Sequence, residues 1–329
     1  MRAMAYSRFG AAAEVLSLQD LPVPKPGPGE VLVKLHASGV NPSDVKARAG
    51  GRPGVTEPPF AQIIPHSDGA GVIEAMGAGV DASRMAQRVW IWNGQWRRAF
   101  GTAADYIAVP ADQAVALPDH VSFEEGAVLG IPGLTAIHTV MGGGLVDGKT
   151  VLVSGGAGTV GHLAVQVAKA SGARVLSTAG GEAGKKAALS AGADQVFDYA
   201  MPDLADQIRA AAGSGGVDRI VEVEFGQNAA TNAAVLAEGG TIAAYGSAKD
   251  MTPELPFYPL MFKAVTLEMV LIYLLDPARR AAAIAALNAL LEARALRLRI
   301  DQVFDLTECA AAHDAVAAGA RAGSVILRI

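Results

Sequence analysis

The run Val151-Leu152-Val153-Ser154-Gly155-Gly156-Ala157-Gly158-Thr159-Val160-Gly161 has the residue types and spacing that most directly imply chemistry. An apolar strand-like stretch ends in a glycine turn that opens a helical pattern, with Gly156, Gly158 and Gly161 at the spacing G-x-G-x-x-G. In such a turn the first glycine allows the tight bend, the second lets the backbone approach a pyrophosphate, and the third packs helix against strand. The free N–H groups and positive dipole end of the following helix then receive the phosphates. Gly156, Ala157, Gly158, Thr159, Val160 and Gly161 are therefore expected to hold a dinucleotide.

The end of the next strand selects the dinucleotide. An NAD site offers a carboxylate there for the ribose hydroxyls. Here the strand ends Leu176-Ser177-Thr178-Ala179-Gly180, with no carboxylate before Glu182, and Lys185 and Lys186 follow. A small, neutral strand end near lysines suits a 2′-phosphate, so NADPH is the expected cofactor. Either lysine could equally face solvent on its helix, and the sequence does not say which of the two meets the phosphate.

These residues need elements to place them. Short strand patterns separated by glycine and proline fill the first third: Val31–Leu35, Gly69–Ala75, Arg88–Trp92 and Tyr106–Val109. They imply a compact barrel-like domain. Ser122 and Glu125 form a capping-box pattern. From there strands (Thr150–Val153, Ala173–Ser177, Gln195–Phe197, Val217–Val223, Thr241–Ala244, Val265–Ile272) alternate with helices (His162–Ala170, Gly184–Ser190, Leu204–Ala212, Asn228–Leu236, Pro277–Ala295). Alternation of this kind means a parallel sheet covered on both faces. The fold class is α/β: a Rossmann doubly wound sheet over 123–295, plus a barrel-type domain from 1–122 and 296–329.

The 329 residues are 51% hydrophobic and 18% charged, with a net charge of −5 and no long run of one sign. That suits well-buried globular domains and argues against nucleic-acid or membrane-surface partners. The single cysteine, Cys309, cannot form an internal disulfide or a cysteine-rich zinc site; it reads as a small buried hydrophobe and fits a cytoplasmic location. The N-terminus lacks a signal-peptide core, and Ala264–Leu275 is too short to span a bilayer and carries Glu268.

Several dispersed motifs in order resemble the zeta-crystallin-type quinone oxidoreductases of the medium-chain dehydrogenase/reductase superfamily. They are Gly39-Val40-Asn41-Pro42-Ser43-Asp44, Asp68-Gly69-Ala70-Gly71-Val72-Ile73-Glu74-Ala75-Met76-Gly77, the glycine loop, Gly192-Ala193-Asp194-Gln195-Val196-Phe197-Asp198-Tyr199, Gly239-Gly240-Thr241 and Gly323-Ser324-Val325-Ile326-Leu327. The resemblance implies a GroES-like substrate domain beside the Rossmann domain, with the active site in the cleft between them, and a homodimer or homotetramer. It places Asn41 near the nicotinamide as the candidate catalytic residue. It sets Lys186 and Tyr199 near the adenosine phosphate, with Thr178 at the second strand end. It has Gly246, Ser247, Val270, Leu271 and Ile272 line the cofactor site. Lys46 stands where an aromatic residue is common, and with Trp92 and Asn93 is assigned to the substrate pocket. Trp92 could stack a planar acceptor or simply close the domain core.

Zinc-dependent relatives carry a cysteine where this chain has Asn41 and a histidine where it has Ser67; His66 is one place early. No second histidine or cysteine has suitable spacing, so no catalytic zinc is expected. Without a metal to lower a hydroxyl pKa, reduction of an electrophilic acceptor is easier than alcohol oxidation. The leading reading is NADPH-dependent reduction of a small-molecule quinone. An NADPH-dependent enone or enal reductase and a non-catalytic, crystallin-like NADPH-binding protein stand beside it.

Overall fold

The computed structural model describes residues 1–51, 54–319 and 321–329. The chain forms two compact units, Met1–Ile131 with Leu298–Ile329, and Pro132–Arg297.

The first unit opens with two antiparallel strands, β1 (Arg2–Ala5) and β2 (Ser17–Asp20), flanking the short α1 (Ala12–Val15). Next come β3 (Glu30–Val40), α2 (Pro42–Ala49), β4 (Asp68–Met76), β5 (Arg88–Ile91), β6 (Tyr106–Pro110) and β7 (Ala114–Ala116). β3 is the hub, pairing antiparallel with both β4 and β6. Its alternating Val31, Val33 and Leu35 are buried with Ile73, Val89, Ile91, Ile107 and Val109. The β3–β4 register sets Gly39 opposite Asp68. α3 (Phe123–Gly126) starts at the Ser122 capping box, where Glu125 N donates to Ser122 Oγ (3.1 Å) and Ser122 N to Glu125 Oε2 (2.9 Å).

A π-helical turn, Leu129–Gly133, leads into the second unit and α4 (Leu134–Met141). The first unit extends to Ile131 because Ile131 N binds the Asp68 carboxylate, which keeps α3 and the turn after it on the barrel side.

The second unit continues through β8 (Thr150–Val153), α5 (Thr159–Ala170), β9 (Arg174–Ala179), α6 (Gly181–Ser190), β10 (Gln195–Asp198), α7 (Leu204–Ala212) and β11 (Val217–Glu222). It closes with α8 (Phe225–Val235), β12 (Leu236–Ala244), α9 (Phe257–Met261), β13 (Thr266–Met269) and α10 (Pro277–Glu292). All six strands are parallel, in the order β10-β9-β8-β11-β12-β13. Winding reverses between β8 and β11, the switch point where such sheets bind ligands. Leu152 lies between Leu176 and Ile220 in register, and all three are almost completely buried. That double burial explains the unbroken apolar runs of these strands.

The tail adds β14 (Ile300–Asp305), α11 (Cys309–Ala318) and β15 (Ser324–Arg328), and β15 pairs antiparallel with β3. The strand expected over Val265–Ile272 is shorter. Its neighbour β12 ends at Ala244, Val270 N donates to that residue's carbonyl (2.7 Å), and Ile272–Leu274 turns into a 3-10 helix. No helix among the described residues is long and apolar enough to cross a membrane.

Candidate nucleotide and acceptor sites

The glycine loop joins β8 to α5 beside the switch point. Gly155 takes φ +68°, a left-handed conformation suited to glycine. Its N–H donates to Thr178 Oγ1 (3.1 Å), and Gly156 N donates to Thr178 O (2.9 Å). A Cβ on Gly156 would strike Ser177 Oγ, and one on Gly161 would strike the Gly155 carbonyl. A Cβ on Gly158 would meet only Gly155 O, at 3.4 Å, with open space beyond. Gly158 is the N-cap of α5 and no side chain caps the helix. Without a side-chain cap, the leading N–H groups of α5 are left for another acceptor, the arrangement that receives a phosphate. Thr178, assigned to the cofactor from sequence, is buried, and its hydroxyl holds the loop in place.

At the end of β9, Tyr199 packs over Gly180 and is 55% exposed, its ring open to a ligand. Lys185 is neutralised by Glu182 (3.2 Å) and Asp198 (3.9 Å). Lys186 is exposed and forms no ion pair among the described residues. Lys249 Nζ lies 5.9 Å from the Tyr199 ring centroid, a cation–π approach from the loop after β12. Sequence reading missed Lys249 because its neighbour Tyr199 sits on another strand end.

Below the loop, Glu222 ends β11 with its carboxylate buried. Oε2 accepts from Ser154 Oγ (2.9 Å) and Asn232 Nδ2 (2.8 Å), Oε1 from Glu224 N (2.6 Å) and Asn228 Nδ2 (3.0 Å). This network binds the ends of β8 and β11 to α8 on either side of the switch point. The signal was present in Asn228 and Asn232, four apart on one helix face. After β12, Gly246 O accepts from Phe225 N (2.9 Å) and Ser247 Oγ from Gly226 N (2.8 Å), so both brace the β12 end. Beyond β13, Leu271 is exposed, Val270 half-buried and Ile272 buried.

In the first unit, Asn41 is the N-cap of α2 and is buried. Its Nδ2 donates to Asp68 Oδ2 (2.8 Å) and its backbone N to Asp44 Oδ2 (2.8 Å). Asp68 also accepts from Ile131 N (2.9 and 3.0 Å to its two oxygens). Full burial pushes the Asp68 carboxyl well above the usual range; Asp44 adds to the rise, while the Ile131 and Asn41 bonds oppose it. Lys46 lies exposed on α2. Trp92 is 8% exposed and its Nε1 donates to Asp112 O (3.1 Å). Asn93 is buried and takes φ +53°.

Comparison with known proteins places these features in a family. The chain matches the alcohol dehydrogenase GroES-like domain over residues 27–119 and the zinc-binding dehydrogenase domain over 159–289. Human quinone oxidoreductase is 35% identical over 99% of this chain and 97% of its own length. The chain belongs to the zeta-crystallin-type quinone oxidoreductases. A mycobacterial protein solved in complex with NADPH is 29% identical, with TM-score 0.87 and complete coverage of both chains. A structure described as an NAD-dependent alcohol dehydrogenase matches with the same identity, TM-score and coverage. Likeness of fold therefore does not separate the two cofactors, and the residues around β9 have to.

Asn41 is held by Asp68 in a buried hydrogen-bonded pair. Asp68 appears in a sequence motif, but nothing local showed that it fixes Asn41.

Proposed function

We propose that the chain is an NADPH-dependent, zinc-free reductase that passes hydride to a quinone and works as a homodimer. The observation that carries the cofactor assignment is the open approach at Gly158 on an uncapped helix, next to a β9 end with Tyr199, Lys186 and Lys249 and no carboxylate of its own. Residues 156–161 hold the pyrophosphate; Lys186, Lys249 and Tyr199 hold the 2′-phosphate end. Lys185 is spent on Glu182 and Asp198. Gly246, Ser247 and the stretch Val270–Ile272 shape the nicotinamide end. Bound there, NADPH supplies the hydride. Asp68 fixes the Asn41 amide through one N–H, leaving the second to orient the acceptor carbonyl or the nicotinamide ribose. The family membership supports a quinone as acceptor.

The test is cofactor oxidation with NADPH and NADH against a panel of quinones, enones and enals. Quinones are expected to turn over fastest, with kcat/KM higher for NADPH. A charge-assisted bond to the phosphate contributes about 1.5–3 kcal/mol. Lys186→Ala and Lys249→Ala should each then cost roughly tenfold or more with NADPH and little with NADH, whereas Lys185→Ala costs little with either. Faster turnover of enals would move the acceptor class. Tight NADPH binding without turnover would leave a binding protein.

A further inference from the structure

In the first unit, a second polar cluster adjoins the Asn41–Asp68 pair, joined to the Asp68 backbone through Ser38 and Thr102. His66, in the segment before β4, meets α11, which carries Cys309 and His313 four residues apart. The two histidines are separated by 247 positions, yet their Nε2 atoms lie 2.9 Å apart. One ligand atom from each of His66, Cys309 and His313 lies within 4.8 Å of the other two, and all three residues are fully buried. His66 reaches this point with φ +77°, a left-handed conformation costly for any residue with a Cβ and one that tends to persist at functional sites.

The hydrogen-bond chain fixes where the protons sit. Thr102 Oγ1 donates to Asp68 O (2.6 Å), so it must accept from Ser38 Oγ (2.8 Å). The single Ser38 proton is thereby used, and Ser38 accepts from His66 Nδ1–H (2.9 Å). Both rings are fully buried, and burial favours their neutral form. His66 Nε2 is then bare and accepts from His313 Nε2–H, which leaves His313 Nδ1 bare, buried and without a hydrogen-bond partner among the described residues. The proton shared between the Nε2 atoms has a thiol beside it and a ring nitrogen able to take it up.

We propose that His66, Cys309 and His313 form a buried three-coordinate site for a soft monovalent cation, Cu⁺. Thiolate with imidazole is a donor set for copper or zinc. Structural zinc is almost always four-coordinate, and catalytic zinc adds a water; three buried ligands fit a cation content with three. Charge points the same way. Cu⁺ with one thiolate and two neutral imidazoles is neutral, whereas Zn²⁺ would leave a net positive charge in a core cluster, with Asp44 and Arg48 already offsetting each other nearby. Metal–nitrogen bonds of about 2.0 Å require the two Nε2 atoms to part by only about half an ångström. Binding balances as Cu⁺ plus the Cys309 thiol giving the Cu–thiolate and one released proton, while the His313 proton moves from Nε2 to Nδ1. His66 Nδ1–H stays on Ser38, the kind of outer bond that orients a metal-bound histidine.

The test uses the full chain refolded without oxygen, with Cu⁺ presented by bicinchoninate and with Zn²⁺ in parallel. One Cu⁺ per chain is expected to withstand the chelator, with release of one proton. The copper absorption edge should report one sulfur and two imidazole nitrogens. Cys309→Ala and His313→Gln should each abolish stoichiometric retention. The wild-type edge spectrum decides the question even where a variant fails to fold. Absence of stoichiometric copper in the wild type, a copper shell without sulfur, full retention by Cys309→Ala, or retention of zinc in preference to copper would each overturn the assignment.

Discussion

Gly158 and Gly161 lie three residues apart in one loop and make opposite demands. A Cβ at Gly158 has one neighbour at 3.4 Å, and its φ of −75° suits alanine. Gly158→Ala should fold with a melting temperature within about 2 °C of wild type, since a strain-free Gly→Ala change is worth only about 0.4–1 kcal/mol. Its NADPH affinity, by calorimetry, should fall tenfold or more, because the methyl occupies the approach. Gly161→Ala would drive a Cβ into the Gly155 carbonyl and should lose stability and binding together. Unchanged binding in Gly158→Ala would mean that the pyrophosphate lies elsewhere. Asp68 makes a pH prediction. Its pKa in the folded protein is raised by burial, so the folded state keeps a proton that the unfolded chain releases above about pH 4. Stability from this group is complete at low pH and declines as pH rises through the folded value. Asp68→Asn removes that proton difference, so urea unfolding between about pH 5 and 8 should give a flatter profile for the variant, crossing above wild type at the alkaline end. Identical slopes would show that Asp68 is not the source.

At the scale of elements, the Glu222 network holds the switch point that positions the loop. Glutamine in its place turns an NH₂ toward donors and leaves at least one buried donor without an acceptor. Breaking such a network costs about 2–5 kcal/mol, so Glu222→Gln should lower the denaturant midpoint markedly without changing its packing volume. A variant as stable as wild type would mean that the four bonds contribute little net energy. The βα alternation behind this network was legible in the sequence because the central strands are covered on both faces and each turn is local. Turn chemistry also marked the Ser122 start and the glycine loop. Strand ends were less legible: β13 stops where β12 stops, which its own residues do not encode. Long-range partners were not legible at all. Asp68 with Asn41, Lys249 with Tyr199, and His66 with His313 each come from separate segments that topology brings together, and no local spacing reports them.

At the scale of the whole molecule, the second unit has an unresolved liability in its sheet edge. Among the described residues, β13 is the outermost strand and pairs only with β12. An open edge strand is a template for another chain unless it is covered. The segments around it expose Phe257 (59%), Tyr258 (64%), Phe262 (77%), Met269 (65%), Leu271 (48%) and Leu274 (57%). Single exposed apolar residues are ordinary, but aromatic and aliphatic side chains gathered beside a free edge mark an association surface. A two-fold axis through that edge lets the same strand serve both partners and closes the assembly without leaving a sticky face. The wild type should therefore sediment as a dimer at micromolar concentration. Phe262→Glu combined with Met269→Lys puts charge on this surface while touching little of the core, since both side chains are mostly exposed. That variant should sediment as a monomer and, if the nucleotide loop depends only on its own unit, still bind NADPH. A wild type that sediments as a monomer, or a double variant that keeps the wild-type assembly, would move the interface away from β13.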